Sequence, residues 1–213
     1  ALPEHSGPRL GIGWLKIGPD LGHANTLRFG GSLGSGIHQE AHEETAGIFN
    51  YLDGNSTFAG LDAFYHHSAH GDRGQGDVTV QGEYFWRNKD LDLIASDVGD
   101  PIGEKLDANQ DGYYLQALYG FFPRWRGGLR WDQVGLTNDV QEPEGAKEQF
   151  GDSWRATAMV DFSPSKYSLL RLQASNGDYE TATGPENVWE VYAQLVITLG
   201  SHTHSGEHAC SGH

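Results

Sequence analysis

The residues best suited to chemistry gather at one end of the 213-residue chain, where His202, His204, His208, Cys210 and His213 fall within twelve positions. Imidazole nitrogen and thiolate sulfur are the donors that zinc and copper ions prefer. The glycines and serines between them would let three or four converge on one ion. Zinc or another transition-metal ion is therefore the expected cofactor, with His208 and Cys210 as the leading ligands. The undemanding spacing leaves open a solvated, histidine-rich end with incidental affinity.

Three further groups call for weighing. His38, Glu40, His42, Glu43 and Glu44 crowd into a stretch that reads as a loop. A second metal cluster of His38, His42 and Glu43 would need that loop to be helical, since only a helix stacks residues four apart. A solvated charged loop is the alternative. His66, His67 and His70 form another group at a strand end. Asp107, Asn109 and Asp111 open a D-x-N-x-D-G phrase like a calcium loop, but Leu118 stands where the bidentate glutamate belongs, so a turn before a strand is expected. Nucleophile elbows, phosphate loops and zinc-protease helices are absent from the sequence, and the chain reads as a non-enzyme.

The elements that would position these groups are strands. About nine segments alternate with period 2. Trp154, Ala156, Ala158, Val160 and Phe162 oppose Arg155, Thr157 and Asp161, while Trp125, Gly127, Leu129 and Trp131 oppose Arg126, Arg130 and Asp132. The closing segment sets Trp189, Val191, Ala193, Leu195, Ile197 and Leu199 against Glu190, Tyr192, Gln194 and Thr198. Such polar faces are too charged for a dry core. Phe122-Pro123-Arg124 and Ser163-Pro164-Ser165-Lys166 read as tight turns, whereas 88–112, 135–152 and 177–187 read as long acidic loops. Short turns at one end and long loops at the other are the rhythm of outer-membrane barrels.

Thirty glycines and 24 aromatic residues, in a chain only 37% hydrophobic, suit a curved sheet with aromatic girdles, and no run approaches the length of a spanning helix. The net charge of -15 argues against nucleic acid and for cations as partners. The expected fold is all-β: an antiparallel transmembrane β-barrel, or the C-terminal strands of a larger one. Residues 1–200 supply about nine strands and 201–213 the His/Cys tail. An odd count suggests that N-terminal strands are missing. A soluble sandwich or jelly roll shares the same alternation.

Several phrases carry a family resemblance: Val80-Gln81-Gly82-Glu83-Tyr84-Phe85-Trp86-Arg87, Gly112 to Tyr119, Pro123 to Asp132, Asp161 to Ser168, and a closing strand ending Leu199-Gly200-Ser201-His202. In order and spacing they resemble the last strands of the zinc-regulated TonB-dependent receptors of Gram-negative outer membranes. The resemblance implies a barrel in the outer membrane. The usual ending, two histidines and a terminal aromatic, is replaced here by Cys210-Ser211-Gly212-His213, and neither a plug nor an energy-coupling box is seen. The expected function is passage or binding of a zinc-type cation by a porin-like or receptor-like barrel. The partners would be the bilayer, metal cations and a protein in the lumen or periplasm. A non-transporting sheath around an electron-transfer partner is the alternative.

Overall fold

The structure, a computed structural model, describes residues 6–97, 99–141, 147–149, 151–181 and 184–199. It is an antiparallel sheet whose main path runs β1 (Leu10–Ile17), β2 (Asn25–Thr45), β3 (Ile48–His67), β4 (Val78–Ser96), β5 (Lys105–Phe122), β6 (Trp125–Val134), β9 (Ser153–Ser165), β10 (Ser168–Thr181) and β11 (Gly184–Ile197). Two short strands, β7 (Asp139–Gln141) and β8 (Lys147–Gln149), form a side hairpin on β5. Each strand of the path pairs with the next, and no pairing joins β1 to β11 among the described residues. The all-β antiparallel expectation stands, with the sheet open.

The two faces differ in the opposite sense to a water-soluble sheet. One face exposes Leu33, Leu61, Leu115, Leu129, Leu172 and Val191, each more than half accessible. The other buries Thr157, Asp161 and Ser175, with Asp161 only 1% accessible. Strand register explains the sorting. Ala117, Leu129, Ala158 and Ala174 follow one another across β5, β6, β9 and β10 on the apolar side, while Arg126, Asp161, Arg171 and Gln194 do so on the polar side. Strand β1 departs from this, for Ile12 and Trp14 stand exposed on the polar side.

The apolar face has limits. On β9 it runs from Trp154 to Phe162 and on β11 from Trp189 to Ile197, the nine or so residues that a tilted strand needs to cross a hydrocarbon layer. Aromatic rings mark both edges: Trp131 stacks on Trp154 at 5.0 Å, and Trp125 meets Phe162 at 4.6 Å. Beyond one edge, β2 to β5 continue for another length of strand, since they run 18 to 21 residues each. There the polarity reverses. Asn88, Asp90, Asp92, Asp107 and Asn109 take the face that was apolar, and Leu52, Leu91 and Leu93, with Leu106 against them, form a buried cluster on the other.

These extensions correct the expectation of long acidic loops. Segment 88–112 is mostly β4 and β5 with a connection at 97–104, and 177–187 is the end of the β10–β11 hairpin, with Thr181 opposite Gly184. Acidic residues in these stretches alternate with apolar or small ones, and that alternation sustains pairing in water as well as in lipid. At the opposite end both expected turns are tight, the first at 123–124 and the second at 166–167 with Ser163 to Ser165 still in β9, but the connections 18–24 and 68–77 are longer. Glycine is needed where side chains cross a neighbouring strand. A Cβ on Gly34 would lie 2.3 Å from the Phe58 ring, so Phe58 can lie over β2 only because position 34 has none.

Candidate functional site

The polar face carries ionic groups at the depth of the apolar band, and cross-strand register brings them together. On β6, β9 and β10, Asp161 accepts hydrogen bonds from Arg126 Nε at 2.7 Å and from Arg171 Nε and an amino group at 2.7 and 3.0 Å. Four residues along β6, Arg130 donates to Asp132 at 2.8 and 2.6 Å, and Arg155 reaches the other oxygen of Asp132 at 3.3 Å. The Arg130 guanidinium also lies 3.9 Å above the Tyr114 ring. Each aspartate thus serves two arginines. Across the sheet, Lys16 and Asp62 pair at 3.3 Å beside Glu83, which faces Asp62 in register.

A third network lies on the extensions, outside the apolar band. Lys89 donates to Glu40 Oε2 at 2.6 Å, and His38 Nε2 lies 3.1 Å from the same oxygen. Arg87 bridges the His38 ring and the Ser56 hydroxyl, the latter at 2.8 Å. Burial works to raise the Glu40 pKa, but the hydrogen bonds and charges of Lys89 and His38 outweigh it and hold the carboxyl below its ordinary value.

The expected site residues fall as follows. His38 and His42 lie on β2, not on a loop, and share a face because alternate strand residues do. Four strand residues separate them by about 13 Å, too far for one ion. Glu43 points to the opposite face and caps the backbone N–H of Gly47 at 2.8 Å, so the structure does not bring the three together. Asp107, Asn109 and Asp111 lie within β5, which corrects the expected turn. Asn88 bonds Asp107 and Asn109, while Asp111 is nearly buried under the Tyr84 hydroxyl and the Thr137 N–H. Extended backbone spaces these oxygens along the strand instead of wrapping them around a cation. His66 and His67 point to opposite faces, against Thr79 and Asn25. Among the described residues no group of three or more His, Cys, Asp or Glu is arranged to hold a metal. His202, His204, His208, Cys210 and His213 lie outside the described residues.

Sequence reading placed Arg126, Arg130, Asp132, Arg155 and Asp161 on polar faces but missed their pairing and Arg171's part in it. Period-2 alternation tells which side a residue takes; only register tells which residue it meets.

No family model matches the chain. An uncharacterized protein of Aquifex aeolicus (strain VF5) is 26% identical over 204 residues, covering 95% of this chain and 41% of the relative. The chain thus spans about two fifths of that relative's length. Among solved structures, an outer membrane protein of Vibrio cholerae, OmpT folded in vitro, overlaps 89% of this chain and 52% of its own, with a TM-score of 0.49 and 13% identity.

Proposed function

We propose that the chain forms part of the wall of a porin-like β-barrel in a bacterial outer membrane, its apolar face against lipid and its polar face lining a water-filled lumen. The observation that carries this reading is the inverted polarity of the sheet: leucines exposed on one face, and Asp161, Thr157 and Ser175 buried among half-exposed arginines on the other, over a band about nine residues deep. In water, exposing that much leucine, valine and tryptophan would cost roughly 25 cal/mol for each Å² left unburied. In a bilayer the same face is already in its preferred solvent. The reversal of polarity on the β2–β5 extensions supports the same boundary, since a strand leaving lipid must turn its apolar residues inward. The acidic residues of those extensions, Asp90, Asp92 and Asp107 among them, would raise the local concentration of cations at that mouth. The finer reading, handling of a zinc-type ion, rests on the donors at 202–213.

The test is fractionation of native cell envelopes. The protein should sediment with outer membrane, resist alkaline carbonate and require detergent for release. Release without detergent would replace the barrel with a soluble sheet whose apolar face is covered by protein. Zinc titration of the detergent-folded chain, with and without residues 201–213, tests the finer reading; equal affinity in both would dismiss the tail as its site.

A further inference from the structure

We propose that the two arginine clusters on β6, β9 and β10 form an anion-binding rail, a pair of stepped sites for small oxyanions such as inorganic phosphate or sulfate. The inference rests on the reading of the polar face as a water-lined wall and goes beyond it by naming what the wall prefers. The chain as a whole carries a net charge of -15, yet each cluster pairs two guanidinium groups with one aspartate: the Asp161 cluster is left with a unit of positive charge, and the Asp132 cluster has a smaller surplus because Glu190 also acts on Arg155.

Hydrogen-bond capacity shows the same surplus. Asp161 is 1% accessible and already receives three guanidinium bonds, so its acceptor capacity is largely used. A guanidinium has five N–H donors. Arg126 uses only Nε on Asp161, its two amino groups make no hydrogen bond among the described residues, and its side chain is 43% accessible. The forked donors so presented match a planar or tetrahedral oxyanion, which accepts two parallel N–H bonds from one guanidinium.

Position gives the surplus its effect. The Asp161 cluster lies one residue inside the Trp125–Phe162 edge of the apolar band, beside Val160 and Leu172, and the Asp132 cluster one residue inside the Trp131–Trp154 edge; ionisable groups at membrane depth are costly unless they serve a polar path. Arg126 and Arg130 stand four residues apart on one strand, about 13 Å. An anion leaving one cluster therefore meets the field of the next. The acidic rim opposes anions, but charges in open water are screened within about 8 Å at physiological salt. Charges on a wall backed by lipid are screened far less.

The experiment labels the membrane-inserted full chain with an arginine-directed dicarbonyl reagent, at constant ionic strength, with chloride or with inorganic phosphate. Modification is read residue by residue by mass spectrometry. Phosphate should slow labelling of Arg126, Arg130, Arg155 and Arg171 several-fold while leaving Arg9 and Arg28 unchanged. In D161N, which removes a competing acceptor, the phosphate concentration for half-protection at Arg126 and Arg171 should fall. Uniform labelling, or four arginines protected equally in chloride and phosphate, would overturn the rail; the second result would assign them to fixed ion pairs with the rest of the wall. Carbonate extraction of the same sample keeps the two readings apart: retained protein without a phosphate effect sinks the rail alone, and released protein sinks the barrel.

Discussion

At the scale of single residues, Asp161 has the most at stake. It is buried and compensated by two arginines, and removing the charge would leave two guanidinium groups facing each other. Breaking a buried pair costs about 3–5 kcal/mol, so Asp161→Asn should lower the unfolding free energy of the detergent-folded protein, read by urea titration, by that order. Arg171→Gln should cost less, because Arg126 still serves the carboxylate; equal losses would mean that the three do not share one network. Glu40 offers a pH-dependent counterpart. Its folded pKa lies below the ordinary value, so its stabilising contribution is complete above the unfolded carboxylate range and is lost as pH falls through the lowered folded value. Proteolysis of the β2–β5 extensions should accelerate across that acid window, and Glu40→Gln should flatten the dependence. The sequence shows that Arg126, Arg130 and Asp161 take a polar face, because side-chain direction depends on a local period of two. Glu40 and Lys89 are 49 positions apart, and nothing local announces that pair.

At the scale of elements, the sheet is divided by a reversal of face polarity rather than by sequence segment. The same strands, β2 to β5, carry apolar residues outward in one half and inward in the other. Ala158 and Gln173 sit at one depth on opposite faces. Arginine on the lipid side near mid-bilayer costs about 2–4 kcal/mol, so Ala158→Arg should reduce folding into vesicles by that amount while Gln173→Arg is tolerated. A water-soluble sheet with its polar face packed would show the reverse. On the extensions, Leu93 is fully buried against Leu52 and Leu91. Leu93→Ala should cost about 2–5 kcal/mol, read as faster hydrogen exchange in β4 and β5 beyond Trp86 with the apolar band unaffected. The band was legible in the sequence because aromatic residues bracket apolar alternation, as at Trp154 and Phe162. The extensions were not, because Asp90-Leu91-Asp92-Leu93 reads as an acidic loop unless a partner strand is known to cover the leucines.

At the scale of the whole molecule, strand direction constrains how the sheet can close. Along an antiparallel path of nine strands, the first and last run the same way, so β1 and β11 point in the same direction. Joining them directly would make a parallel seam, and so would two copies arranged about an axis along the barrel. Left unjoined in lipid, each edge exposes a row of backbone N–H and C=O groups, at several kcal/mol for each group without a partner. An antiparallel wall therefore closes only if an odd number of further strands stands between β11 and β1, which also restores an even total. Cysteine pairs test this with Cys210 replaced by serine: Gly13, Leu15 or Ile17 on β1 against Val191, Ala193 or Leu195 on β11, oxidised in native membranes. No combination should crosslink within one chain. A disulfide at any of them would mean that the nine strands close on themselves through a parallel seam, giving a narrower lumen in which the arginine rail faces Asp62 and Glu83 at close range.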